Sequence, residues 1–241
     1  PIVEYMVDES LKQYLITKTG IEDEKIENLI QTDNPEEAVE LKNAEKEKVV
    51  KAINELKLLD PACGSGAFPM GALQKIIHIL EKVDPENKIF LEDILNDIKD
   101  PGVREVFRKK VEGEPELFDY ARKLGIIQKS IFGVDIQEIA IEISKLRCFL
   151  TIIVDEKVEE GKKNKGIEPL PNLEFKFVAA NTLIGLPKID NVDYLGETLI
   201  HINEIINLRE KYFTSFGYEK DEIKKQYLKE QKILFETLVM R

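Results

Sequence analysis

Tryptophan is absent from this 241-residue chain, and cysteine and histidine occur twice each. The side chains that most often build disulfide frameworks and metal centres are therefore nearly missing. Cys63 sits in a glycine-rich loop, so the two cysteines give no disulfide scaffold and no metal cluster, and a reducing, cytoplasmic setting is expected. No run of about 18 uncharged apolar residues occurs and no basic-then-apolar leader opens the chain, so no membrane association is expected. A basic excess is lacking too: 35 Lys and Arg stand against 46 Asp and Glu, a formal net charge of −11. That balance argues against a main electrostatic gripper of nucleic acid, because affinity for phosphate comes from clustered cations. An acidic domain working beside a separate nucleic-acid-reading domain remains compatible. The sequence starts at Pro1, inside an apolar pattern and without methionine, as a piece excised from a longer chain would.

What is present is an alternation of helical and strand periods. Val3, Met6, Val7, Leu11 and Tyr14 recur at helical spacing. The charged stretch 21–57 reads as helical and largely solvated, with Asn34 as a cap and Pro35 in the first helical position. Residues 56–60 form a short apolar run ended by Pro61 and Gly64-Ser65-Gly66, which fits a buried strand entering a turn. Phe68, Ala72, Ile76, Ile79, Leu80 and Val83 then repeat along a helix, and Pro69 is tolerable in its first turn. Residues 84–129, punctuated by Pro85, Pro101 and Pro115, read as a helical insertion with a pattern from Ile89 to Ile98. The second strand is 130–135. Asp135 and Glu138 have capping-box spacing, and Ile136, Ile139, Ala140, Ile143, Leu146 and Leu150 follow along one helix face. A Lys- and Gly-rich loop at 156–166 leads to a third strand at 175–179, closed by Asn181 and Gly185, and two helical patterns follow at about 197–213 and 219–239. The alternation predicts an α/β fold with a parallel sheet between helices. Its core unit spans 1–187, with helical insertions at 17–55 and 84–129, and 188–241 is a helical extension or insertion.

The chemistry centres on Asp60-Pro61-Ala62-Cys63-Gly64-Ser65-Gly66-Ala67-Phe68. Glycines at a strand-to-helix turn let a ligand approach the backbone where helix N–H groups point outward. The competing reading is a tight turn with no ligand. A dinucleotide fingerprint wants a small residue three positions after the second glycine, where this chain has Pro69, and no Gly-Lys-Ser/Thr follows to make a P-loop.

Together with the second and third strand ends, these residues resemble the amino-group DNA methyltransferases of the adenine-specific (N6) class. The likeness is strongest to those in large single-chain restriction–modification enzymes of the type IIG kind. Residues 60–68 look like that family's first motif. Asp135, in Phe-Gly-Val-Asp-Ile-Gln, looks like the acidic residue that holds the ribose hydroxyls of the cofactor. Ala180-Asn181-Thr182-Leu183 resembles the motif whose polar residue meets the adenine amine, although the family often has Asp where Asn181 stands. Residues 1–7 resemble the start of the helix that covers the methionine end. The likeness covers roughly 1–15, 56–83 and 130–187. It implies a Rossmann-like S-adenosylmethionine-dependent methyltransferase fold with an incomplete parallel sheet. The implied cofactor set is Asp60, Pro61, Ala62, Cys63, Gly64, Ser65, Gly66, Phe68, Asp135, Ile136, Asn181, Thr182 and Leu183.

Each residue keeps a plainer reading beside this one. Asp135 can cap its helix, Ile136 can be ordinary core, Asn181 can close a turn, and Cys63 reads as a small filler rather than a nucleophile. His78 and His201 read as structural. Lys220, Lys224, Lys225, Lys229 and Lys232 read as a solvated helix face rather than a DNA contact. In the resembled family, the base amine is held by Asn-Pro-Pro-Tyr/Phe after a fourth strand, a tetrapeptide absent here; Asn34-Pro35 is the one Asn-Pro pair. No catalytic residue or metal ligand is therefore assigned. The chain is expected to be a fragment of a longer enzyme, with an inactive cofactor-binding relative as the alternative. A missing fourth strand would leave the 56–60 edge open or covered by the C-terminal helices or a second copy. DNA is the implied partner, through regions outside this chain. An RNA or protein methyltransferase, or a non-catalytic cofactor-binding module, are the competing functions, and nothing in the sequence fixes an oligomeric state.

Overall fold

The computed structural model describes residues 2–32, 41–90, 92, 116–154, 161, 172–184, 195–215 and 217–239. Asn34, Pro35, most of the 156–166 loop and most of the pattern from Ile89 to Ile98 lie outside these residues. The described elements run α1 (Ile2–Thr19), α2 (Asp23–Gln31), α3 (Asn43–Glu55), β1 (Leu58–Asp60), α4 (Ala67–Val83) and α5 (Glu116–Lys129). They continue with β2 (Ile131–Asp135), α6 (Glu138–Ile153), β3 (Phe177–Ala179), α7 (Leu195–Thr214) and α8 (Gly217–Val239).

Three parallel strands in the order β1-β2-β3 form the sheet, so the described fold is α/β. Leu58 pairs with Ile131 and Asp60 with Gly133, while Gly133 pairs with Phe177 and Asp135 with Ala179. Side chains alternate across a strand, so this register sends Ile131, Gly133 and Phe177 to one face, where they are buried. Leu59 and Val178 fall on the other, where they are 61% and 40% exposed. Among the described residues β1 pairs with β2 alone and forms an edge of the sheet.

Helix α4 lies at the centre of the covered side. Met70, Ala72, Leu73, Ile76, Ile77, Ile79, Leu80 and Val83 are all buried, which requires apolar neighbours nearly all round the helix. Helices α1, α2, α3, α5 and α6 and strands β1 and β2 supply them. Val7, Leu11, Leu15 and Thr19 form the buried stripe of α1, and Met6 is turned outward. Ile26, Leu29 and Ile30 of α2 and Val49, Val50 and Ile53 of α3 belong to the same core. The described parts of the 21–57 region are thus not largely solvated: their charges occupy the outer faces of two helices whose inner faces close over α4. Helix α5 joins through Ile126, Ile127 and a buried Arg122, whose guanidinium donates to the Asp84 carbonyl oxygen and to Asn87 Oδ1.

Helix α6 buries a face that the apolar spacing did not mark. Ala140, Ile141, Ser144, Cys148 and Ile152 point inward, whereas Ile136, Ile139, Ile143, Leu146 and Leu150 are 41–69% exposed. The N-cap is Gln137, with no side-chain cap, so Asp135 and Glu138 do not form the capping box their spacing suggested. Asp135 is drawn instead into the loop across the sheet. Helices α7 and α8 pack on each other around Leu208, Tyr212 and Ile223, with Phe175 and Tyr227 against them.

Candidate cofactor site

Three strand ends meet beside the glycine loop. The backbone of the loop is tied to β2 by Cys63 N–H donating to the Val134 carbonyl at 2.9 Å, and β3 by Ala180 N–H donating to the Asp135 carbonyl at 2.9 Å. Thr182 Oγ1 donates to the Pro61 carbonyl at 3.0 Å and links the third strand end to the first. Ala62 N–H donates to Asp60 Oδ1 at 3.1 Å, which starts the turn after β1. Residues 60–64, Asp135 and 180–182 are therefore one connected cluster.

Asp135 is the hinge of that cluster. Its Oδ2 accepts the Gly64 N–H at 2.8 Å and its Oδ1 accepts the Gln137 N–H at 2.9 Å. These backbone donors, that of Gln137 first, hold its carboxyl below the usual carboxylate range. The group stays ionised at neutral pH, and each oxygen keeps lone-pair capacity for a further donor such as a diol hydroxyl.

The loop turns into α4 through two left-handed glycines, Gly64 at φ +53° and Gly66 at φ +82°. Gly66 is also constrained by space, because a Cβ there would lie 2.9 Å from Ser144 Oγ. Ser144 Oγ donates toward the Gly64 carbonyl at 3.0 Å, and Arg147 Nη1 donates to the Ser65 carbonyl at 3.1 Å. Among the described residues the N–H groups of Ser65, Ala67 and Phe68 meet no acceptor of the protein. Those of Ala67 and Phe68 are orphan donors of a helix start, and with the loop N–H of Ser65 just before the cap they suit a carboxylate or another anionic group.

The predicted residues divide by role. Cys63 is buried, and burial, before any charge effect, pushes its thiol up from the ordinary value. It is a filler: a Cβ on Gly133 would lie 2.9 Å from its Sγ and 2.7 Å from the Phe177 ring. Phe68 packs its ring against the main core, so its backbone is what it offers the loop. Ile136, 69% exposed, is not core and stands next to Asp135. Asn181 does close a turn, since its Oδ1 accepts the Leu183 N–H at 3.0 Å. Leu183 is exposed. Ser144 and Arg147 were not anticipated; the only hint was a serine within an apolar helix.

The outlying residues have partners of their own. His78 Nε2 lies 3.4 Å from the Thr32 carbonyl and His201 Nδ1 lies 2.8 Å from Glu230 Oε2. Lys220 and Lys224 both pair with Glu174, Lys225 with Glu222 and Lys232 with Glu236. No group of three or more His, Cys, Asp or Glu among the described residues is placed to hold a metal ion. A cavity of about 740 Å³ lies between α1, α4 and α6 and reaches Ala67 and Arg147. Its lining includes none of 60–66, Asp135 or 181–183, and it meets the loop region at Ala67 and Arg147.

The chain is similar to a proposed type II restriction enzyme and methyltransferase of Methanocaldococcus jannaschii. The two are 32% identical over 148 residues, which is 60% of this chain and 10% of the relative. The chain thus spans about a tenth of the length of the curated relative it matches. No protein-family model matches, and no solved structure matches. No described helix is long and apolar enough to cross a membrane.

Proposed function

We propose that this chain is the cofactor-holding part of a site-specific DNA adenine-N6 methyltransferase with a Rossmann-like S-adenosylmethionine-binding fold, within a restriction–modification protein. The observation that carries the reading is the Asp135–Gly64 pair. An ionised carboxylate at the tip of the middle strand accepts a loop N–H from the neighbouring strand end. Ligands of open α/β sheets bind at this position, outside the carboxyl ends of the strands. The similarity to a protein named as a restriction enzyme and methyltransferase supports the same reading.

The residues present fit the cofactor's three parts. Asp135 would accept hydrogen bonds from the ribose diol. The free N–H groups of Ser65, Ala67 and Phe68 would receive the carboxylate of the methionine end. Ile136 and Leu183, exposed beyond the ends of β2 and β3, would flank the adenine, and Asn181 keeps an amide N–H₂ for its polar edge. When bound, the sulfonium cofactor supplies an electrophilic methyl group. This chain's own residues bind and orient it, and the reading assigns the grip on the target base to residues outside this sequence.

Isothermal titration with S-adenosylmethionine checks the assignment. The wild-type chain is expected to bind, and Asp135→Ala to lose at least about tenfold in affinity, the order of a charge-assisted hydrogen bond. Equal binding by both removes Asp135 from the site.

A further inference from the structure

We infer that Ser144 and Arg147 of α6 are positioning residues that set the glycine loop, Ser144 by turning the Ser65 N–H outward and Arg147 by holding the next peptide, whose Gly66 N–H is tied back to the Cys63 carbonyl, and that they so set the affinity for the nucleotide-type cofactor. The inference rests on the cofactor reading for its ligand, but its geometry stands on the loop itself. Ser144 is fully buried beneath the loop. Its hydroxyl lies 3.0 Å from the Gly64 carbonyl oxygen and 3.0 Å from that of Ala140. A serine inside a helix ordinarily returns its proton to the carbonyl four residues back. Here a second acceptor from a segment 80 residues away shares it. One turn further along α6, on the same side, Arg147 reaches the next carbonyl, that of Ser65.

Peptide planarity gives these contacts a direction. In a trans peptide the C=O and N–H of one unit point opposite ways. Drawing the Gly64 carbonyl down onto Ser144 therefore turns the Ser65 N–H up and away from α6. That N–H is one of the donors with no acceptor in the protein. From the other side Asp135 Oδ2 holds the Gly64 N–H, so the loop is fixed between a carboxylate of β2 and two donors of α6. Gly66 closes the device, because only a residue without Cβ can lie this close to the Ser144 hydroxyl.

The test uses Ser144→Ala, Arg147→Gln and Arg147→Lys in the whole 241-residue chain, with three readouts: thermal midpoint, amide hydrogen exchange and calorimetry with S-adenosylmethionine. Ser144→Ala and Arg147→Gln are expected to speed exchange in the peptide spanning 61–68. Each should weaken cofactor binding by about three- to tenfold, as the loss of one hydrogen bond does. Exchange in α4 and the thermal midpoint should stay near wild type, and Arg147→Lys should recover part of the affinity. Wild-type loop exchange in both variants overturns the inference. So does a loss of affinity that comes only with faster exchange across α4 and a lower midpoint. Should the wild-type chain bind no S-adenosylmethionine, the cofactor reading fails, and loop exchange still decides whether Ser144 and Arg147 set the loop.

Discussion

Lys176 shows what a single buried cation does to this sheet. It is 4% exposed just before β3, its ammonium stands 3.9 Å from the centroid of the Phe132 ring, and it donates to the Gln128 carbonyl at the end of α5. Burial lowers its pKa from 10.5 to about 7, helped by Arg209 and Lys57 and opposed by Glu210. An amine with a depressed folded-state pKa costs stability while it is charged. Between about pH 7 and 10.5 the unfolded chain holds a proton that the folded chain does not, so stability rises with pH across that window. Urea unfolding at steps from pH 6.5 to 10 should show this rise in wild type and a flatter curve in Lys176→Met, and parallel curves would refute it. Nothing local in the sequence announced this residue. Lys176 lies in the run 175–179 that was legible as a strand, but its burial comes from Phe132, Arg209 and α5, which are distant in the chain.

At the scale of elements, α6 separates what spacing can tell from what packing decides. Its boundaries were legible, because an apolar repeat follows a strand and runs to the loop. The buried face was not, because the helix carries apolar residues on two sides. The inner side is interrupted by Ser144, a polar residue that disqualifies it in a reading by hydropathy, while the outer side is uniformly Ile and Leu. The sheet and α4 choose the inner side, where the small residues Ala140, Ser144 and Cys148 let the helix approach. Substitutions on the two sides should therefore differ in kind. Ile143→Gln and Leu146→Gln, on the outer side, should change stability by no more than about 0.5 kcal/mol. Ile141→Ala, 2% exposed, should cost about 2–5 kcal/mol. Chemical denaturation of the three variants decides, and a large loss on the outer side would mean that the stripe is covered in solution. The same distinction explains the glycine loop: its glycines and Asp135 were legible as types in order along the chain, whereas the carbonyls held by Ser144 and Arg147 required α6 to be in place.

At the scale of the whole molecule, two apolar centres of unequal size stand out among the described residues. The larger joins α1 to α6 and the buried side of the sheet around α4; the smaller gathers Leu208, Tyr212 and Ile223 of the α7–α8 pair with Phe175 and Tyr227. Among the described residues, a short segment before β3 ties the second to the first. Asn172 donates to the carbonyls of Tyr212 and Ser215, Glu174 accepts from the Tyr212 hydroxyl and pairs with Lys220 and Lys224, and the Phe175 ring stacks on Tyr227 at 3.9 Å. The guanidinium of Arg209 adds a contact 5.0 Å from the Phe132 ring centroid. A unit with few buried apolar residues opens at lower free energy than one with many. The α7–α8 pair should therefore exchange its amides well before α4 does. Glu174→Ala removes the acceptor shared by Tyr212 and two lysines, and should speed exchange in 198–235 while leaving α4 and the loop at 61–68 unchanged. Because 172–175 leads directly into β3, the strand end at Ala179 and the turn at Asn181 mark how far that loosening travels. Hydrogen exchange read by mass spectrometry on these peptides checks the order, and simultaneous exchange of the helical pair and α4 would mean that the two centres unfold as one.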